Sequence, residues 1–333
     1  MNVRTLTFLL ALSTCFVAAE GRADPPTPGS PELVEPLSVR ALVADGKHNA
    51  FTAMVRWKDR YWLAFRKGTA HNSGDGDLVL LRSDDGKEWT EARRVNAAPD
   101  DRDPQMLATQ SRLFLYDPAM DGAKLTSFVT YTDDGETWTD PQPVYLPQYI
   151  FWKPLAKGDR FYATAHLKSR DGTARHVHLI TSGDALRWDK VSTIRGGNWE
   201  SETTLWFAAP DRLVAFMRQK YGSPKATILE SSAPFSEWSE RRAGPKIFGG
   251  HAVCTFQRVT YLLSRSLEGQ QTGTMIYTYE QGELHPYCAL PSGGDCSYPA
   301  AVQDGGAMLV SYYSSHEGST NVYLARVPLR GKR

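Results

Sequence analysis

Three observations in the sequence predict an all-β fold built from repeated antiparallel sheets. A phrase of the form Ser/Thr-x-Asp-Gly-x-x-Trp recurs with decay: "RSDDGKEW" ends at Trp89, "YTDDGETW" at Trp138, "TSGDALRW" at Trp188 and "SSAPFSEW" at Trp238, so the tryptophans lie 49, 50 and 50 residues apart. Each unit holds short runs rich in β-branched and aromatic residues, such as "FTAMVRW", "RYWLAF" and "DLVLLRS" ahead of the first tryptophan, separated by Gly, Asp and Lys clusters. No long amphipathic-helix period competes, and the uninterrupted apolar run is at the N-terminus. A fixed period of this size marks a repeated supersecondary unit. About 310 residues follow the leader, and at roughly 50 per unit they make about six four-stranded sheets, the blade range of a β-propeller. The expectation is a six-bladed β-propeller of four-stranded antiparallel blades.

The repeated phrase has a structural purpose. In Ser83-x-Asp85-Gly86-x-x-Trp89 the carboxylate can accept hydrogen bonds from amides of its own turn, and the glycine can take positive φ without a Cβ clash. The indole, at a constant offset from the turn, can then bury itself between neighbouring units. Gly86 and Gly135 give way to Ala185 and Phe235 while the spacing holds, as a scaffold repeat would show. A catalytic role for Asp85 or Asp134 is the weaker reading. A fifth blade spans "VTYLLSRS" to "TGTMIYTYEQGELHPY", and "YPAAVQDGGAMLVSYYSSHEGSTNVYLARV" makes most of a sixth. That blade lacks its last strand. Residues 36–43, "PLSVRALV", are expected to supply it, joining the chain ends and removing an open sheet edge.

The first 23 residues read as a cleaved export signal: an early Arg4, an apolar stretch, and small residues at Ala18-Ala19 or Ala23. Cys15 follows a poor lipobox, so a lipoprotein is the lesser reading. Residues 24–333 are then a single domain, secreted or periplasmic, expected to act as a monomer with no membrane contact after cleavage. Its Cys254, Cys288 and Cys296 are odd in number, and Cys288 with Cys296 is the expected disulfide, across the loop "ALPSGGD". No Cys-x-x-Cys pair or His-x-x-x-His cluster occurs, so no metal site is expected, and nothing calls for a cofactor. With 38 basic and 37 acidic residues there is no electrostatic footprint for nucleic acid or membrane.

The Ser/Thr-x-Asp-Gly-x-x-Trp phrase resembles the Asp-box, or BNR repeat, of the sialidase superfamily, and the order of the other segments is similar over nearly the whole mature chain. "ESETTLWFAAPDRLVAFMRQ" resembles the segment carrying a catalytic glutamate followed by an arginine, here Glu202 and Arg218. "YLLSRS" offers Arg265 as a further active-site arginine, and "GGDCSYPAAVQDGGAMLVSYY" resembles the segment of the tyrosine nucleophile, here Tyr298. The resemblance implies that Glu202 takes the phenolic proton while Tyr298 attacks the anomeric carbon, with arginines gripping a substrate carboxylate.

The departures matter equally. The family begins its first blade with Arg-Ile-Pro, and here "NAFTAM" puts Ala50 or its neighbour at the first arginine. Arg66 in "AFRKG" or Arg102 in "DRDPQM" are the candidate replacements. For the acid/base, the loop "GTAHNSGDGDL" presents His71, Asp75 and Asp77; His71 is closest to the expected position, and Asp75 is the carboxylate alternative. His316, with Glu317, lies just beyond an inner or second strand, where it could reach the channel mouth, a satisfied turn being the commoner outcome. Trp152 and Trp199 fall outside the repeat positions and are candidate sugar platforms, blade packing being the default for both. Each of these has a structural alternative: a cross-strand ion pair for Glu202 and Arg218, a packed aromatic for Tyr298, a solvated loop for His71. The expected activity is an exported glycoside hydrolase acting on an anionic or polyhydroxylated glycan. A polysaccharide lyase for uronic-acid glycans and a non-catalytic carbohydrate-binding propeller are the rivals.

Overall fold

The computed structural model describes residues 32–167, 176–197, 200–219, 224–268 and 271–331. Strand β1 (Ser38–Val43) precedes blade 1, which runs outward through β2 (His48–Trp57), β3 (Arg60–Gly68), β4 (Asp77–Ser83) and β5 (Thr90–Val95). Blade 2 has an inner strand split into β6 (Asp100–Asp101) and β7 (Gln105–Ala108), then β8 (Leu113–Asp121), β9 (Lys124–Thr132) and β10 (Gln142–Pro143). Blade 3 comprises β11 (Tyr149–Lys157), β12 (Arg160–Leu167), β13 (His176–Ser182) and β14 (Asp189–Gly196). Blade 4 comprises β15 (Glu200–Ala209), β16 (Arg212–Gln219), β17 (Ala226–Ser232) and β18 (Ser239–Ala243). Blade 5 holds β19 (Ala252–Phe256), β20 (Val259–Glu268), β21 (Gln271–Glu280) and β22 (Glu283–Leu290). In blade 6, β23 (Cys296–Asp304), β24 (Ala307–Ser314) and β25 (Asn321–Pro328) are completed by β1, which pairs with β25 from Ser38↔Arg326 to Val43↔Val322. The chain is a six-bladed β-propeller, closed by its N-terminal strand as the sequence predicts.

Why the blades form a ring is visible in where the apolar residues go. Among the described residues, one buried cluster occupies each joint between neighbours, for instance Leu63, Phe65 and Val79 of blade 1 against Leu309 and Leu324 of blade 6. The other five joints are filled in the same way. A seventh cluster, Ala50, Phe51, Trp152, Tyr298 and Tyr313, joins blades 1, 3 and 6. The innermost strands surround a cavity of about 210 Å³ lined from all six blades, Met54, Met106, Leu155, Leu205, Val253 and Ala301 among its walls.

The repeated phrase behaves as its chemistry requires. Asp85 Oδ1 accepts from the amides of Lys87 and Glu88 at 2.8 and 3.0 Å, and Asp134 does the same for Glu136 and Thr137. Positive φ persists at the fourth position after the glycine is lost: 73° at Gly86, 87° at Gly135, 62° at Ala185 and 65° at Phe235. Trp89, Trp138, Trp188 and Trp238 each pack into the cluster shared with the preceding blade. Trp238 also donates to Ser192 Oγ of blade 3 at 3.0 Å.

The expected disulfide is absent: Cys254, Cys288 and Cys296 are all free thiols. Cys288 is buried in the joint between blades 5 and 6, and Cys296 begins β23 opposite Ser314. Hydrogen bonds hold the intervening loop instead, from Gly293 N to Ser314 Oγ at 3.0 Å and from Asp295 N to Ser315 Oγ at 2.8 Å. The leader and Trp199 lie outside the described residues.

A methyl group at Gly135 would meet Trp62 Cζ2 at 3.1 Å in a left-handed backbone. Gly135→Ala should therefore lower stability by about 1–2 kcal/mol, read as a shifted urea midpoint, with the native circular dichroism retained.

Candidate active site

Near its start, each innermost strand departs from regular pairing. The β2–β3 register slips between Ala50 and Ala53, β11–β12 between Trp152 and Leu155, β15–β16 between Glu200 and Thr203, and β23–β24 between Ser297 and Ala300. In blade 2 the break falls between β6 and β7, and in blade 5 Gly249 and Gly250 precede β19. Positive φ at Phe51, Asp103, Lys153, Ser297 and Tyr298 accompanies these bulges. A bulge re-aims a side chain that the pleat would otherwise send into a joint, and left-handed bulky residues cluster where structure is held for function.

Three of the breaks bring Glu202, Tyr298 and Gly250 together. The Tyr298 hydroxyl donates to Glu202 Oε1 at 2.7 Å, Arg218 Nη1 donates to the same oxygen at 2.5 Å, and Gly250 N donates to Oε2 at 2.7 Å. The glycine pair is a steric requirement: a Cβ on Gly249 would stand 2.7 Å from Glu202 Oε2, and one on Gly250 would stand 2.7 Å from the Tyr298 ring. Burial by itself would raise the Glu202 carboxyl, but the Arg218 charge and the bonds from Tyr298 and Gly250 outweigh it and hold it at about 2. Burial, then the charges of Glu202 and Asp103, push the Tyr298 phenol well above its ordinary value, against the pull of Arg218 and Arg265. At rest the shared proton belongs to the tyrosine.

Arg265 lies with its guanidinium carbon 5.6 Å from the Tyr298 ring centre, and it donates through Nε to Cys296 O at 2.8 Å and through Nη2 to Tyr313 Oη at 3.0 Å. Tyr313 donates to Asp295 Oδ1 at 2.8 Å. Asp295 Oδ2 faces both His71 Nδ1 at 2.7 Å and His48 Nε2 at 2.8 Å. Burial would raise the Asp295 carboxyl, but the bonds from His48, His71 and Tyr313 hold it far below the usual range. The Phe51 ring links this group to the Glu202–Tyr298 pair, with centroids 5.1 Å from His71 and 5.0 Å from Tyr298.

Glu202, Arg218, Arg265, Tyr298 and His71 thus meet in one connected region. Phe51, neighbour of Ala50, fills the bulge on the first blade where the resemblance leads one to look for an arginine. Arg102 reaches the edge of the region, 5.5 Å from the Phe51 ring centre, and pairs with Asp100 Oδ2 at 3.1 Å. Arg66 does not serve as a binding group: it is completely buried, donating to Asp100 Oδ1 through Nε at 3.0 Å and Nη2 at 2.7 Å, so it braces the carboxylate that holds Arg102. Asp75 is an exposed turn residue that accepts from Thr69 N at 3.0 Å and from Ser73 Oγ. His316 contacts Ser314, Tyr323 and Glu317 rather than the Tyr298 group. Trp152 is a buried packing group, 5.9 Å from the Tyr298 ring, and not a sugar platform.

Sequence reading missed Asp295, His48 and Lys153. Lys153 sits on the β11 bulge beside Trp152, and burial lowers its ammonium to about 8 against the opposing charges of Glu202 and Asp103. Asp295 stands three residues before the tyrosine in "GGDCSYP", a position that reads as turn chemistry. Nothing in spacing points to His48 or Lys153, because their partners lie in other blades.

No protein-family model matches the chain, and no curated protein matches it. Among solved structures, a Dyadobacter fermentans protein of unknown function aligns over 88% of this chain and 99% of its own, at 19% identity and a TM-score of 0.75. Trypanosoma rangeli sialidase aligns over 89% of this chain at 10% identity and a TM-score of 0.66, and the match spans 58% of the sialidase chain. A GH43_1 enzyme from Xanthomonas citri aligns over 73% of this chain and 93% of its own, at 14% identity and a TM-score of 0.50. At these identities the likeness is one of fold.

The Glu202 carboxyl, depressed from 4.5 to about 2, contributes stability that is present above pH 4.5 and lost as pH falls toward 2. The contribution is on the order of 3 kcal/mol. Urea midpoints of the parent and Glu202→Gln should differ most at pH 5–7 and converge as the pH approaches 2.

Proposed function

We propose that the chain is a glycan-directed glycoside hydrolase in which Tyr298 is the nucleophile and Glu202 its base. The observation that carries this reading is the 2.7 Å hydrogen bond from the Tyr298 hydroxyl to Glu202, flanked by Arg218 and Arg265. With Glu202 held near 2 and the phenol held high, a free phenolate is not formed in advance. The proton passes to Glu202 as the oxygen bonds to the anomeric carbon, when the phenol becomes a far stronger acid. Arg218 and Arg265 offset the charge on the oxygen at that stage. The His71–Asp295 pair, one aromatic ring away, supplies the proton for the leaving group and later takes one from water, as a retaining mechanism needs.

The arrangement also bears on the sugar. A three-arginine clamp is not assembled, since Phe51 occupies one bulge while Arg218 and Arg265 already serve Glu202, Cys296 and Tyr313. The proposed substrate is therefore a glycan outside the sialosides, and the leader read in the sequence would bring the enzyme to it outside the cytoplasm. A lyase reading is favoured by one feature, the pair of arginines beside a tyrosine, which suits neutralising a uronate while Tyr298 removes a proton.

On a panel of sialylated, uronic-acid and neutral glycans, the parent should release reducing sugar from at least one. Tyr298→Phe and Glu202→Gln should each lower kcat by about 10²–10⁴-fold with smaller changes in KM. Products absorbing as unsaturated uronates would replace the hydrolase by the lyase, and unchanged turnover in Tyr298→Phe would end both.

A further inference from the structure

We infer that His48, His71 and Asp295 form a binding site for one divalent transition-metal ion of the zinc type. Their donor atoms, His48 Nε2, His71 Nδ1 and Asp295 Oδ2, lie within 4.8 Å of one another. The three residues come from the first position of β2, from the loop between β3 and β4, and from the loop leading into β23. Two imidazoles and one carboxylate suit zinc, cobalt, nickel or iron(II), whereas calcium and magnesium select oxygen donors. Three protein ligands leave a position for water, as in catalytic rather than structural zinc sites.

The ligands are already aimed. The Tyr313 hydroxyl holds Asp295 Oδ1 at 2.8 Å, which turns Oδ2 toward both rings, and Arg265 in turn holds Tyr313. A hydrogen bond that orients a metal-binding carboxylate in this way is the usual outer support of such sites. His48 is buried, while the His71 side chain is 43% exposed and gives an ion its route in. The nitrogen-to-oxygen separations of 2.7 and 2.8 Å fit hydrogen bonds. Tetrahedral zinc with bonds of about 2.0–2.1 Å spaces its ligands about 3.3 Å apart, so the rings must draw back by about half an ångström. Arg265, 3.7 Å from Asp295 Oδ1, is the opposing cation, and it sets the affinity below that of a four-ligand structural site. Local spacing could not show such a site, because His71 and Asp295 are 224 residues apart.

The inference goes beyond the hydrolase reading and does not rest on it. If both hold, an ion on His71 Nδ1 passes the proton-transfer part to a metal-bound water. The test is ion uptake by the untagged, EDTA-stripped full chain, titrated with zinc chloride by calorimetry and with cobalt chloride by visible absorbance. One ion per chain and a cobalt d–d band should appear. His71→Ala, a change at an exposed loop, and Asp295→Asn should each weaken zinc binding at least tenfold, while His316→Ala should leave it unchanged. Absence of uptake would show that the cluster only shares protons and would overturn the site. So would uptake that survives His71→Ala, even if Asp295→Asn fails to fold.

Discussion

The site depends on interrupted pairing at the start of each innermost strand. A β-strand sends alternate side chains into the two joints beside it, so a regular inner strand would leave the axis lined by whatever the pleat allows. Register slips at Phe51, Lys153, Glu202 and Tyr298, the gap around Asp103 and the glycine pair at 249–250 release the backbone for a few residues in every blade. Backbone carbonyls displaced there are caught by threonines: Thr52 donates to Tyr298 O at 2.8 Å, Thr204 to His251 O at 2.8 Å, and Thr164 to Thr203 O at 2.7 Å. These bonds run between neighbouring blades, so the feature that opens the site also ties the ring around it.

Charge is managed by mutual saturation. Buried ions survive only when paired, and this region holds Arg102, Arg218 and Arg265 against Asp100, Glu202 and Asp295. Arg66 shows how far the arrangement extends, since it is fully enclosed and its partner Asp100 also holds Arg102. Each of the three guanidinium groups already holds a partner: Arg102 the Asp100 carboxylate, Arg218 that of Glu202, and Arg265 the Cys296 carbonyl and the Tyr313 hydroxyl.

How much of this could be read from the sequence follows from the range of each interaction. The repeat is local: hydroxyl, carboxylate, glycine and indole lie within seven residues, so the turn, the blade count and the closing strand were legible. Glu202, Arg218, Arg265 and Tyr298 were legible only through resemblance, and the structure brings them together. Arg66 misled because burial depends on neighbours that the sequence does not order in space, and Asp75 because a loop carboxylate can as readily brace its own turn. The cysteine pairing failed for a similar reason, since hydroxyl groups already closed the loop. Asp295, His48 and Lys153 carried no signal, because each acquires meaning only from residues in other blades.

Strand β1 completes the last blade, and the consequence reaches past stability. The candidate site straddles the seam between the first and last blades: His48, Phe51 and His71 come from blade 1, Tyr298 and Tyr313 from blade 6, and Asp295 from the loop that leads into it. The contacts of His48 and His71 with Asp295, and of Phe51 with Tyr298, form only where blade 1 meets blade 6, so this part of the site and the closure of the ring stand or fall together.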